Sequence, residues 1–184
     1  EALYNLGLCQ EFGIGVNKSR IRAYESFRKA GEAGYLPARS RSAVMLYYGV
    51  PAEQEDLVKL PAIASERKKA LDILTKMADQ NDTVAMRELA KLYLVEKDSP
   101  AKLEDVRKLL EKSAAANDAE ALRLLAQCFL DGIGGDIDEK RGVVCLRRAV
   151  DLEDYNAMYL YGRLLEYGEG VPTDGAKAFE YTKL

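Results

Sequence analysis

The sequence predicts an all-α solenoid built from helix–turn–helix units. Three observations predict it. First, alanines that lead one pattern stand at Ala2, Ala38, Ala85, Ala121 and Ala157, so successive copies begin 36, 47, 36 and 36 residues apart, and repetition at such a period marks a stacked-repeat architecture. Second, apolar and small residues recur within each copy at the 3.6-residue spacing of a helix. Third, glycine or asparagine interrupts that spacing at nearly the same two places in most copies. The pattern is written out in Ala121-Leu122-Arg123-Leu124-Leu125-Ala126-Gln127-Cys128-Phe129-Leu130-Asp131-Gly132-Ile133-Gly134.

The array is expected to comprise units 2–37, 38–84, 85–120, 121–156 and 157–184, the last incomplete. In the first, Ala2, Leu6, Gly7 and Cys9 share one side of a helix that Gly13-Ile14-Gly15 breaks. A second helix from about Ser19 to Ala30 carries Ala23, Phe27 and Ala30 inward, with Gly34 placed for a left-handed cap. Helices of this length are marginal as isolated peptides, so packing on neighbours must supply their stability.

The second unit keeps Ala43, Leu46 and Gly49, then carries an eleven-residue insertion at about 52–63 that includes the acidic run Glu53-Gln54-Glu55-Asp56. A solvated extension between its helices is the simpler reading, since surface loops tolerate insertion cheaply; a contact arm is the alternative. The unit resumes with Ala70, Ile73, Leu74 and Met77, and Asn81 takes the cap position. In the third, Ala85, Leu89, Ala90 and Tyr93 form the inner stripe, Ser99-Pro100 is a helix-start signal, and Asn117 is the cap. The fourth continues through Gly142, Cys145, Leu146 and Ala149. The fifth shows Ala157, Tyr161, Gly162 and Leu165, then Ala178 and Tyr181.

Small side chains explain the strict spacing. Gly7, Ala43, Ala90, Ala126 and Gly162 occupy one place of the first helix, and Ala23, Ala70, Val106, Gly142 and Ala178 the matching place of the second. Small residues let neighbouring helices approach closely.

Composition limits function. A chain of 184 residues with 48% apolar and 31% charged residues is a soluble globular profile. Net charge of −3 argues against a general nucleic-acid role, and no apolar run nears the roughly 20 residues that span a bilayer. The chain opens and stops within a repeat, so a longer chain or a larger complex is expected. Cys9, Cys128 and Cys145 lack metal-ligand spacing and fit as buried thiols, which favours a reducing, cytoplasmic setting. Against this, Asn17-Lys18-Ser19 and Asn81-Asp82-Thr83 are glycosylation sequons that a secretory-lumen protein could use, and a lumenal or periplasmic setting is the alternative.

The pattern A-x-x-x-L-G-x-x-Y-x-x-G-x-G-V, met most fully from Ala157 to Val171 and nearly as well from Ala2 to Val16, resembles the Sel1-like repeat, a relative of the tetratricopeptide repeat. The resemblance covers essentially the whole chain, although the third unit lacks the glycine turn and the second carries the insertion. It implies a right-handed α-solenoid superhelix of antiparallel helix pairs and scaffold or adaptor roles through protein binding. Some cysteine-rich members of that family are linked to β-lactamase activity, but their paired cysteines are absent here.

Nothing in the sequence points to catalysis or a cofactor. The Gly-x-Gly pairs at 13–15, 132–134 and 168–170 follow helices and lead into no phosphate-loop fingerprint, so they are turns. The chain has no histidine, which removes histidine-dependent triads and histidine zinc ligands. No metal site is expected.

The resemblance also implies a concave groove. Helical geometry places the third, seventh and tenth residues of each unit together, opposite the inner stripe. Among them, Arg87, Lys91, Arg123 and Arg163 are expected to grip an acidic peptide, with Tyr4, Tyr47 and Tyr159 as packing anchors and Gln127 beside them. Two alternatives stand beside this peptide-binding scaffold: the repeat tail of a larger enzyme, such as a kinase, or a lumenal or envelope quality-control component.

Overall fold

The computed structural model describes residues 1–50, 63, 65–95 and 103–183. The insertion at 52–63, Ile63 apart, and the Ser99-Pro100 signal lie outside the described residues. Among those residues the chain is all-α, with ten helices and no strand beyond one isolated bridge. It forms two compact units, Glu1–Glu88 and Leu89–Leu184, and the division falls within a helix.

The first unit holds α1 (Ala2–Phe12), α2 (Arg20–Glu32), α3 (Leu36–Tyr48), α4 (Arg67–Asp79) and the opening turns of α5 (Thr83–Val95). From α1 to α4 each helix packs on the next in sequence order. Its core joins Ile21, Ala23, Phe27, Ala30, Ala38, Met45 and Val50. A β-carbon at Gly7 would reach the Phe27 ring, so only glycine lets α1 lie this close to α2. Ala2 and Leu6, expected on the inner stripe, are exposed. Their counterparts Ala121 and Leu125 are buried, so this face is covered in the fourth repeat and open in the first.

The insertion is pinned at its base. Val50 and Ile63 form an antiparallel bridge with N–H to O=C distances of 2.8 and 2.7 Å. Val50 is 1% exposed, which ties both ends of the excursion to the core. Beyond the bridge, the Glu66 N–H donates to the Leu46 carbonyl at 3.0 Å and α4 begins.

The second unit contains the rest of α5 with α6 (Leu103–Ala115), α7 (Ala119–Asp131), α8 (Glu139–Asp151), α9 (Tyr155–Tyr167) and α10 (Gly175–Thr182). From α6 to α10 the helices again pack in sequence order. Leu110, Leu122, Ala126, Phe129, Leu146 and Ala157 lie at the centre of its core. The small residues sit where helices meet: a β-carbon at Gly142 would fall 2.8 Å from Leu130 Cγ, and one at Gly162 2.9 Å from Thr182 Cγ2.

Three-residue connections join each second helix to the next first helix. Gly34, Asn81, Asn117 and Glu153 all have left-handed backbones, with φ of 91°, 63°, 59° and 61°. The residue after each of 34, 81 and 153 donates its N–H to the carbonyl five residues back, as Tyr35 to Ala30, Asp82 to Met77 and Asp154 to Ala149. Asp82, Asp118 and Asp154 then cap the following helices by accepting from the N–H of Ala85, Ala121 and Ala157 at 2.8, 2.9 and 2.7 Å.

Glu153 is the misfit in this series, because left-handed backbone costs an ordinary residue about 1–2 kcal/mol and asparagine less. Glu153 is also solvent-exposed. Glu153→Asn is therefore expected to stabilise the protein by about 0.5–1 kcal/mol, read as a raised midpoint in thermal unfolding. A lowered midpoint would show that the glutamate side chain makes a contribution outside the cap.

Candidate protein-binding cleft

The residues expected to form one basic groove have different fates. Tyr4 turns inward, its ring 5.4 Å from Phe27 and 5.1 Å from Tyr35. Tyr47 is only 4% exposed, with the Arg67 guanidinium 5.5 Å and the Tyr48 ring 5.0 Å from its ring. Arg87 pairs with its neighbour Glu88 at 2.8 Å, with both side chains largely buried. None of these three offers a free anchor.

In the second unit Lys91 and Arg123 pair with carboxylates at the start of a repeat's first helix. Lys91 on α5 meets Glu120 on α7 at 2.9 Å. Arg123 on α7 lies 3.7 Å from Glu120 and 3.6 Å from Asp154, the cap of α9. The Arg123 Nε is buried and has no hydrogen-bond partner in good geometry. These groups fasten one repeat to the next, so the acidic grip expected of them is largely neutralised from within the chain. Arg163 differs: it is exposed, 5.9 Å from the Tyr167 ring. Tyr159 is 52% exposed on the same helix.

Gln127 and Arg163 are brought together. They line a cleft of about 320 Å³ between α7 and α9. Leu146 and Leu164 supply its buried floor, Leu130 and Leu160 its half-buried walls, and Tyr167 stands at the rim, 61% exposed. Asp131, Glu139 and Glu169 also line it, so the one cation faces three carboxylates. An apolar floor with a few polar groups at the rim is the usual build of a site that takes a side chain from a partner. Tyr167 and the carboxylates escape the sequence pattern because they fall outside the third, seventh and tenth places.

Among the described residues the cysteine thiols lie apart from this cleft. Burial pushes the Cys128 thiol up to about 11 and raises that of Cys145, so both stay protonated at neutral pH and are poor nucleophiles. Cys9 is half-buried. Among the described residues no group of three potential metal ligands is found, and no helix is long and apolar enough to cross a membrane.

The comparisons with known proteins agree with this architecture. No curated protein matches the sequence. Among solved structures, the chain is similar to a protective antigen present in uropathogenic Escherichia coli strains, at 24% identity and TM-score 0.71, over 98% of this chain and 36% of that one. It is similar to a Sel1 repeat protein from Oxalobacter formigenes at 19% identity and TM-score 0.74, over 98% and 69%. It also resembles an immunity protein from Pseudomonas aeruginosa, at 20% identity and TM-score 0.66, over 98% and 62%. The chain thus spans about a third of the first of these and just under two thirds of the last. At such identities the likeness is one of fold. The Sel1 repeat family model matches residues 1–35, 119–154 and 156–184, more than half of the sequence, and the chain belongs to the Sel1 repeat family.

Proposed function

We propose that the chain is a non-catalytic interaction scaffold whose second unit receives a peptide or protein segment in the cleft between α7 and α9. Sel1 repeats generally mediate protein–protein interaction, and the observation that supports this particular site is the juxtaposition of an apolar floor with Arg163, Gln127 and Tyr167 at its edge. Tyrosine and arginine at a rim are the side chains that most often carry interface energy.

The charge pattern refines the partner. Arg163 accepts one carboxylate, but Asp131, Glu139 and Glu169 repel a uniformly acidic ligand at this short range. The fitting ligand presents an apolar side chain to Leu146 and Leu164, an acidic group to Arg163 and a basic group to the opposite rim. Reversing Lys91 and Arg123 would be a poor test, since it breaks the pairs that hold successive repeats. The cleaner test selects random displayed peptides on the chain and compares the selected peptides on Leu130→Glu and Tyr167→Ala. Their affinity is expected to fall about tenfold, or roughly 1.4 kcal/mol, with helical content unchanged. Peptides that bind both variants as tightly as the parent would place the site elsewhere.

A further inference from the structure

In the first unit a cleft of about 560 Å³ opens between the second helices α2 and α4, over α3. Its floor is apolar, with Ala43 and Leu46 buried and Ile73 half-buried. Its rims are basic: Arg28 stands on α2, Arg39 on α3 and Lys69 on α4, all three exposed. Burial raises the pKa of the Tyr24 hydroxyl in the same cleft, while Arg28 and Lys69 both pull it down. The two cations, on opposite walls, thus act on one point. The three helices that build the cleft carry ten lysines and arginines against four carboxylates, in a chain whose net charge is −3.

The second unit shows how the corresponding groove, between α6 and α8, is spanned. There Glu111 on one wall meets Arg141 on the other at 3.2 Å. In the repeat register Glu111 corresponds to Arg28 and Arg141 to Lys69, just as Val106 and Gly142 correspond to Ala23 and Ala70. The α2–α4 cleft therefore has a cation on both walls, and no ion pair crosses between these two places. Each cation falls back on a nearby carboxylate of its own wall: Arg28 meets Glu32 at 2.6 Å, and Lys69 meets Glu66, the residue before α4, at 3.1 Å. Exposed pairs of this kind are weak, so both cations are open to a better-placed anion. Arg39 takes the place of Leu122, which is buried in the second unit.

We propose that the α2–α4 cleft binds an acidic protein segment in which carboxylates flank an apolar side chain. One carboxylate bridges Arg28 and Lys69, supplying the anion that Glu111 supplies in the second unit, and another meets Arg39. The apolar side chain rests on Leu46 and Ile73. Spaced carboxylates fit this cleft better than the unbroken charge of a polyphosphate, because Glu32 and Glu66 stay beside the cations and repel a continuous anion. The apolar floor also gives a phosphate backbone nothing to bury. None of these residues lines the α7–α9 cleft, which lies in the other unit, so the two sites can fail independently.

Titration of the 184-residue chain into a short fluorescent peptide with a leucine between glutamates, followed by anisotropy, tests this. Saturable binding below about 1 mM is expected, weakening as salt is added, and the same peptide with glutamines for glutamates should not bind. Arg28→Glu copies the arrangement of the second unit by setting a carboxylate against Lys69, and should lower the affinity about tenfold or more. Lys69→Glu should do the same from the other wall. Both side chains are exposed, so the melting curve should not change; Arg39→Glu is the further variant should either alter it. Leu130→Glu, in the α7–α9 cleft, should leave this affinity as it is, and a loss there would overturn the proposal by assigning the peptide to that cleft. Absence of binding, equal binding of the glutamine peptide, or undiminished affinity in the Arg28 and Lys69 variants would overturn it too. So would displacement of the peptide by inorganic polyphosphate at equal charge, which would make the cleft a general anion site.

Discussion

Phe129→Ala is expected to destabilise the second unit by about 3–5 kcal/mol, the range for removing a buried aromatic ring. Phe129 is 1% exposed and its ring is held between two guanidinium groups, those of Arg107 from α6 at 4.0 Å and Arg141 from α8 at 4.1 Å. One side chain on α7 thus joins the second helices on either side of it. Burial and the cavity left behind account for most of the expected loss, and each cation–π contact adds about 0.5–1 kcal/mol. Phe129→Leu keeps most of the apolar volume and removes the ring face, so it should cost about 1–2 kcal/mol from the two lost contacts. Urea unfolding followed by circular dichroism distinguishes these sizes. A loss below about 1 kcal/mol for the alanine variant would mean that the core closes over the gap without the ring.

The sequence made the hairpins legible because their closest contacts depend on side-chain size, which the letters state directly. Gly7, Gly142 and Gly162 could be read as helix crossings, and the structure finds each of them pressed against a neighbouring helix. The left-handed connections at Gly34, Asn81 and Asn117 were legible for the same kind of reason, since those residue types tolerate that backbone. Glu153 gave no such signal, and only its place in the repeat could have revealed it. The caps Asp82, Asp118 and Asp154 stand three residues before their leading alanines, so they too are legible from the repeat. The groove was read less well for a physical reason. Spacing along one helix fixes which way a cation projects, but not which carboxylate the next helix brings to it, so Lys91 and Arg123 looked free. The burial of Tyr47 was not legible, because Arg67, which stands over its ring, follows an insertion that has no counterpart in the other repeats.

Gly134→Ala is expected to destabilise the second unit by about 2–5 kcal/mol, and comparison with Gly15→Ala divides that loss into its two sources. Both glycines are second in a Gly-x-Gly turn, with φ of 74° and 69°. Left-handed backbone alone costs an alanine about 1–2 kcal/mol at either position. At Gly15 the added methyl enters open space, so that cost is the whole expectation in the monomer. At Gly134 it drives into the Leu103 carbonyl and the Arg107 stem, backbone and packed side chain that cannot simply rotate aside, and overpacking adds about 1–3 kcal/mol. The difference between the two variants in urea unfolding therefore measures how tightly one repeat seats on the one before it. Equal losses at the two positions would mean that the α6 terminus yields without cost.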